Sequence, residues 1–358
     1  MGKRSTIYGA LALLLGAAAP LGAEPIKVVT SFSVLEDFAR HVGGDKIALS
    51  NLVAANGDTH MFQPSPMDGR LVAQADVLIV NGQGFEGWME RFVESTEFDG
   101  LLVEATRGVD LIDTEHGEHH DDKDEHHDGE DQHDDEHHDK DEHHADEHDD
   151  HHEDTHAKHS DEHQGLDEEH HDDHQEEGGH HHHGRYDPHA WHSVANAKLY
   201  VANIRDGLIA ADPSNADYYR QNSQAYLAEL DALERQLQQQ VATLADDQRR
   251  VITSHDAFAY LGQAYQLDFT APQGLSTESE ASAETVAKII RQIREQGIQA
   301  VFVENVSSPR LIEQIARETG AKVGGKLYSD ALSAPAEGAG SYVEMMTHNI
   351  STIVQALD

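Results

Sequence analysis

The sequence predicts an α/β protein of two similar lobes with mostly parallel sheets, bridged by a long helix. Three observations carry that expectation. Short β-rich runs alternate with amphipathic ones on both sides of a central insertion. One apolar-periodic stretch is much longer than the others. Setting aside residues 1–23 and 115–184 leaves 265 residues, enough for two domains of about 100–150 each.

The chain opens with Lys3 and Arg4, then an apolar run from Ile7 to Leu21 ending in Leu21-Gly22-Ala23. This pattern reads as a signal peptide over 1–23, cleaved before Glu24. The run is shorter than the ~20 residues a spanning helix needs. With no cysteine to carry a lipid at the cleavage point, the expectation is a soluble periplasmic protein that is not a lipoprotein.

The N-terminal lobe is expected over 24–114. Its runs alternate as strand Ile26–Phe32, a helix near Val34–Val42, strand Ile47–Val53, a helix over Met67–Ala75 and strand Val77–Val80. Asn81-Gly82-Gln83-Gly84 breaks the chain after the third strand, and Trp88–Val93 suggests a short helix.

Residues 115–184 differ from everything around them. The whole chain carries 25 Lys+Arg against 67 Asp+Glu, a net charge of −42, which argues against nucleic acid as a partner. Glu115 to Glu177 alone hold 30 of those acidic residues with three lysines, and 23 of the 29 histidines lie between His116 and His183. With one leucine, Leu166, and no aromatic residue, the stretch has nothing to bury against the entropy of ordering. It is expected to be a disordered loop inserted in the N-terminal lobe.

Residues 185–211 are expected to finish that lobe with a helix from Trp191 to Ala210. Asp212-Pro213 then offers a cap and a proline at the first helical position. The linking helix is expected over 212–246, with Tyr219, Leu227, Leu230, Leu233, Leu237, Val241 and Leu244 on one face. Over about 30 residues at 1.5 Å each such a helix would run about 45 Å, long enough to serve two lobes. The C-terminal lobe, 247–358, repeats the rhythm: strand Arg250–Thr253, helix Phe258–Tyr265, strand Leu267–Thr270, helix Ala283–Gln296, strand Ala300–Val303, helix Leu311–Thr319, strand Lys322–Leu327 and helix Tyr342–Leu357.

In open parallel sheets ligands bind beyond the carboxyl ends of the strands, which directs attention to the polar residues there. Zero cysteines exclude disulfides, thiolate zinc sites, iron–sulfur clusters and cysteine nucleophiles. A transition-metal site must then be made of imidazole and carboxylate. His60 sits in a proline-rich loop after the second strand, and as a loop histidine it also reads as polar surface. His189 and His192 follow the insertion, where Pro188 and Trp191 mark the return of order; His192 competes with His189 or caps the helix. His255 stands where a β-branched run meets a helix, as a ligand or as a helix cap. Asp330 ends the last strand, as a ligand or a turn cap. Glu278 and Glu280 read as a solvated loop, His41 and His348 as surface positions on helices, and Trp88, Phe258 and Tyr328 as packing. No phosphate-binding glycine loop and no His-Glu-x-x-His pattern occurs.

Five motifs now stand in order: Asp58-Thr59-His60-Met61-Phe62-Gln63-Pro64-Ser65-Pro66, Asp187-Pro188-His189-Ala190-Trp191, Thr253-Ser254-His255-Asp256-Ala257-Phe258, Gly274-Leu275-Ser276-Thr277-Glu278 and Tyr328-Ser329-Asp330-Ala331-Leu332. With them the chain resembles the metal-binding proteins of bacterial ABC importers for zinc and manganese, the cluster A-I or family 9 solute-binding proteins. The resemblance implies a metal in the interlobe cleft, held by His60 and His189 from the first lobe and His255 and Asp330 from the second. Manganese-type members carry Glu at the position of His255. Three imidazoles and one carboxylate suit tetrahedral zinc, whereas more oxygen ligands suit manganese. Some zinc-type members take a further carboxylate from the residue before the first histidine, which here is Thr59.

The function this implies is zinc capture for an ABC importer, with delivery of Zn²⁺ to the membrane permease and no catalysis. The histidine-rich insertion resembles the loop of zinc-type members and is expected to hold additional zinc weakly. A monomer is expected, with a periplasmic metallochaperone as a further possible partner. The alternatives are a manganese or iron carrier, a zinc hydrolase built on three histidines, and a zinc buffer that works without a permease.

Overall fold

The computed structural model describes residues 24–114 and 185–358. The signal-peptide and histidine-rich-loop readings lie outside them.

Among the described residues, eight parallel strands form two sheets. The first contains β1 (Ile26–Phe32), β2 (Ile47–Val53), β3 (Val77–Val80) and β4 (Leu101–Glu104), in the order β2-β1-β3-β4. The second contains β5 (Arg250–Ile252), β6 (Asp268–Thr270), β7 (Ala300–Glu304) and β8 (Lys322–Leu327), in the order β6-β5-β7-β8. Both sheets therefore follow one connection pattern. The inner strands β1 and β3 are buried on both faces over Val28–Phe32 and Val77–Val80, as parallel strands covered by helices must be.

The helices of the first lobe are α1 (Ser33–Gly43), α2 (Pro66–Ala73), α3 (Met89–Ser95) and α4 (Val194–Ala211). Those of the second are α6 (Ala259–Tyr265), α7 (Ala283–Gln296), α8 (Arg310–Thr319) and α9 (Tyr342–Leu357). Local chemistry sets their ends. Ser65 and Asp68 cap α2 reciprocally: the Ser65 hydroxyl accepts from the Asp68 amide, and the Asp68 carboxylate accepts from the Ser65 amide at 2.7 Å. Gly297 and Gly320 close α7 and α8 in left-handed conformation.

Between the lobes runs α5 (Ala216–Val241), 26 residues or about 39 Å long. It starts four residues later and ends five earlier than expected, because Pro213–Asn215 form a separate 3₁₀ turn and Ala242 ends the helix. Tyr219, Tyr226, Leu230, Leu233, Leu237 and Val241 make its buried face. It packs on α1, α4 and α9. One continuous apolar core joins the first sheet, these helices and the near face of the second sheet. A smaller core of Ile252, Ile289, Ile293, Val301, Ile312 and Ile315 fills the far side of the second sheet. Among the described residues no helix is long and apolar enough to cross a membrane.

Two elements depart further from expectation. Strand β4 was not legible, since as an edge strand it exposes Leu101 and Leu102 and carries no buried alternation. The helix expected from Trp191 begins as a 3₁₀ turn over Ala190–His192, and Ser193 then caps α4. Just before it, the chain on either side of the insertion forms a short antiparallel stem. Asp113 bridges to Tyr186, the Thr114 amide donates to the Arg185 carbonyl at 3.0 Å, and the Asp187 amide donates to the Ile112 carbonyl at 2.9 Å.

The lobes and the linking helix meet at Asp37 of α1. Its Oδ2 accepts from the Tyr342 amide of α9 at 3.0 Å and from the Tyr226 hydroxyl of α5 at 3.2 Å. His41, expected at the surface, is half-buried and stacks on Tyr226 with ring centroids 3.9 Å apart. Burial pushes the Asp37 carboxyl above its usual range, against the pull of His41 and the two hydrogen bonds. Asp37→Ala strands two buried donors and is expected to cost about 1–3 kcal/mol in denaturant unfolding. Asp37→Asn keeps an acceptor and should cost less. Because the folded pKa is raised, wild type should gain stability relative to Asp37→Asn as pH falls through that pKa toward 3.8.

Candidate metal centre

Each polar residue of the cleft stands beyond the carboxyl end of a strand, or in a loop that returns there. His60 lies in the loop between β2 and α2. Asp58 Oδ1 accepts from the His60 amide at 3.0 Å and the Met61 amide at 3.3 Å, and Trp88 Nε1 donates to the Thr59 carbonyl at 2.9 Å. Trp88, read from sequence as packing, thus also holds the histidine loop. The His60 ring rests edge-on against Phe85 at 4.9 Å.

His189 follows the insertion stem. Asp187 Oδ1 accepts from both the amide and Nδ1 of His189, each at 2.8 Å. That contact fixes the proton on Nδ1 and leaves Nε2 as the bare donor. Its neighbour Pro188 is held through its carbonyl by Asn81 at 2.9 Å, and Asn81 is held in turn by the Tyr200 hydroxyl at 2.7 Å.

His255 follows β5 and is paired with Glu304, the last residue of β7. Glu304 Oε1 accepts from the amides of Ser254 and His255 at 2.7 and 2.9 Å, while Oε2 lies 2.5 Å from His255 Nδ1. Again Nε2 is the nitrogen turned toward the other ligand residues. Asp330 follows β8. Asn349 brackets Tyr328 by two main-chain hydrogen bonds, and Trp191 Nε1 donates to the Ser329 carbonyl at 3.1 Å, so the segment carrying Asp330 has little freedom.

These four side chains converge. Asp330 Oδ2 lies 3.1 Å from His255 Nε2 and 3.5 Å from His60 Nε2, and Oδ1 lies 3.6 Å from His189 Nε2. One donor atom from each of the four falls within 4.8 Å of all the others. All four residues are buried. Bonds of about 2.0–2.1 Å to a tetrahedral ion imply donor separations of about 3.3–3.4 Å, within the observed spread. Both oxygens of Asp330 and Nε2 of His60 and of His189 lack a hydrogen-bond partner, and buried polar atoms are rarely left so. A shared cation would satisfy them together. Burial opposes charge on Asp330, yet the imidazoles of His255 and His189 outweigh it and hold its carboxyl well below the usual carboxylate range. Burial likewise opposes charge on His255, but Glu304 and Asp330 raise its pKa well above that of free histidine.

His192, the competitor of His189, is fully buried against Phe258 and Trp191 and is not in the group of four. Burial and then repulsion from His189 push its pKa down to about 3, so it stays neutral. Thr59 is buried, with its carbonyl taken by Trp88. Glu278 and Glu280 are exposed. His348 is half-buried and contacts the Lys326 carbonyl at 2.9 Å. Asp58, Asp187, Glu304 and Phe85 escaped sequence reasoning as partners of the site. Asp58 and Asp187 lay inside the quoted motifs, two residues before a histidine, whereas Glu304 had no local signal.

Two α/β lobes that close a buried three-histidine, one-aspartate cluster between them define a metal-binding protein of the solute-capturing kind. The chain belongs to the family described as zinc-uptake complex component A, periplasmic, which it matches over residues 28–356. It is 29% identical to the manganese-binding lipoprotein MntA of Halalkalibacterium halodurans, over 93% of this chain and 89% of that one. It is 26% identical to the iron-binding protein YfeA of Yersinia pestis, over 93% and 86%. It is 24% identical to the manganese ABC transporter substrate-binding lipoprotein PsaA of Streptococcus pneumoniae, over 98% and 95%. The fold is that of the periplasmic zinc-binding protein TroA from Treponema pallidum, with a TM-score of 0.72 at 22% identity over 94% and 99% of the two chains.

The protein is accordingly the metal-binding, solute-binding component of an ABC metal transporter. It works with a permease and an ATPase, and it is not an enzyme, which removes the hydrolase alternative. One expectation is corrected. The absence of cysteine suggested a protein that is not a lipoprotein, but MntA and PsaA among its relatives are named lipoproteins, and that expectation is withdrawn.

Glu304→Gln sets an amide NH₂ against the Nδ1 proton of His255 and removes the charge behind the ring. It is expected to weaken divalent-metal binding by about 10–100-fold, measured by chelator competition, with the thermal unfolding of the metal-free protein as control.

Proposed function

We propose that the cargo is Zn²⁺, held by His60, His189, His255 and Asp330 and handed to the membrane permease. The observation that carries this reading is the donor set: three imidazole nitrogens and one carboxylate, all buried, with one donor atom from each within 4.8 Å of the others. Neutral imidazole suits zinc, whereas manganese favours more oxygen ligands. Release follows from the division of ligands. His60 and His189 belong to one lobe and His255 and Asp330 to the other, so separating the lobes by an ångström or two strips the ion of half its shell without unfolding either half.

A second reading, manganese or iron as cargo, is favoured by the names of MntA and YfeA. Competition between Zn²⁺ and Mn²⁺ at the purified protein separates the two. The expected outcome is strong preference for Zn²⁺, with His255→Glu moving the ratio toward Mn²⁺ by at least about tenfold. Preference of the wild type for Mn²⁺ would overturn the zinc reading.

We also propose that the histidine-rich insertion gathers zinc weakly. Imidazole with a pKa near 6.5 ligates at neutral pH, and acidity alone does not call for 23 histidines in one stretch. Each site there must order chain as it binds, which lowers affinity. Deleting residues 115–183 is expected to remove several weak zinc equivalents in a titration and to leave one tight equivalent. Loss of the tight equivalent would reverse the assignment.

A further inference from the structure

Among the described residues, the His60 loop of the first lobe meets the loop between β6 and α7 of the second through one side-chain hydrogen bond. Asp58 uses Oδ1 to hold the amides of His60 and Met61, and its other oxygen, Oδ2, accepts from the Thr277 hydroxyl at 2.7 Å. Thr277 belongs to the loop between β6 and α7 in the second lobe. That loop is itself stitched to the His255 segment: Gln273 pairs with His255, the Gln273 amide donates to the Ser254 carbonyl at 3.3 Å, and the Asp256 amide donates to the Gly274 carbonyl at 3.2 Å. A short path therefore runs from His255 through the 273–277 loop, Thr277 and Asp58 to His60.

The other bonds that reach this part of the first lobe end elsewhere. Asn56, at the root of the His60 loop, receives or gives hydrogen bonds to Asn305, Leu332 and Glu337, which lie around the segment carrying Asp330. The Thr277 bond joins two half-buried residues, next to exposed Met61. His60 also lacks the carboxylate that Asp187 and Glu304 supply to the other two rings; its loop is held through the main chain by Asp58 and Trp88.

We propose that Thr277 is a positioning residue for the bound ion: its hydroxyl clamps Asp58 when the lobes close, fixes the His60 loop against the His255 loop, and so sets how long the metal is retained. The inference rests on the proposed ligand role of His60. The clamp acts on residence time because it forms only once both loops have come together, while the ligands themselves are untouched.

The test compares Thr277→Val, which keeps shape and removes the donor, with Thr277→Ser, which restores it. Zn²⁺ release is followed by stopped-flow transfer to a chelator, and the visible spectrum of the Co²⁺-loaded protein reports the ligand set. A hydrogen bond to a charged group predicts an off-rate raised on the order of tenfold in Thr277→Val, recovery to within about twofold in Thr277→Ser, and unchanged Co²⁺ spectra. An off-rate for Thr277→Val within twofold of wild type would overturn the clamp, as would a changed Co²⁺ spectrum that serine does not restore. His60→Ala keeps the two ideas apart: undiminished Zn²⁺ affinity there would remove His60 from the shell, whereas lost affinity beside an unaffected Thr277→Val rejects the clamp alone.

Discussion

A carboxylate shut away from water among three imidazoles is the constraint on which the rest of this structure depends. Asp330 is fully buried and yet held in its charged form. Desolvating such a charge is costly unless positive charge and hydrogen bonds answer it. In the closed cleft the answer comes from Nε2 of His60, His189 and His255, none of which has another hydrogen-bond partner among the described residues. The electrostatics of the centre therefore favour a divalent ion and at the same time draw the lobes together.

The architecture serves this centre by bringing strand ends to it. Because both sheets share one strand order, their carboxyl edges can face each other across a cleft. Behind the rings, carboxylates at fixed places choose the nitrogen that points inward: Asp187 sits on the insertion stem, and Glu304 on the last residue of β7. Aromatic residues fill the space between. Phe85 touches His60, His189 and Trp191, and Trp191 reaches across to Ser329 in the other lobe. The apolar wall limits water and holds the imidazoles at their angles.

Much of this was legible in the residues. The inner strands announced themselves as apolar runs because both of their faces are covered, and α1 and α7 as amphipathic segments because each buries one side. The edge strand β4 did not, since it is only four residues long and two of its three apolar residues face solvent. The four converging residues were found through motifs that resemble a known family rather than through spacing, because their positions span 271 places in sequence. Glu304 could not be found in that way: its role exists only because β7 lies beside β5, and nothing in its immediate neighbours reports that adjacency. Tyr226 illustrates the same limit. It lies on the buried face of α5, but only the packing of α1 and α9 around that helix turns its hydroxyl into a support for Asp37.

The stem formed by Ile112–Thr114 and Arg185–Asp187 closes the chain on itself where the insertion leaves and returns. The entropic cost of tying the ends of a flexible loop together grows only with the logarithm of its length, about 0.6 kcal/mol for each doubling. For a flexible passage, a scaffold closed in this way is thermodynamically almost indifferent to how many residues lie between its tied ends. A lineage could lengthen, shorten or rewrite the passage to match scarcity or abundance of metal while the ion-binding half of the molecule stays as it is, and a protein engineer could use the same doorway to carry a foreign peptide.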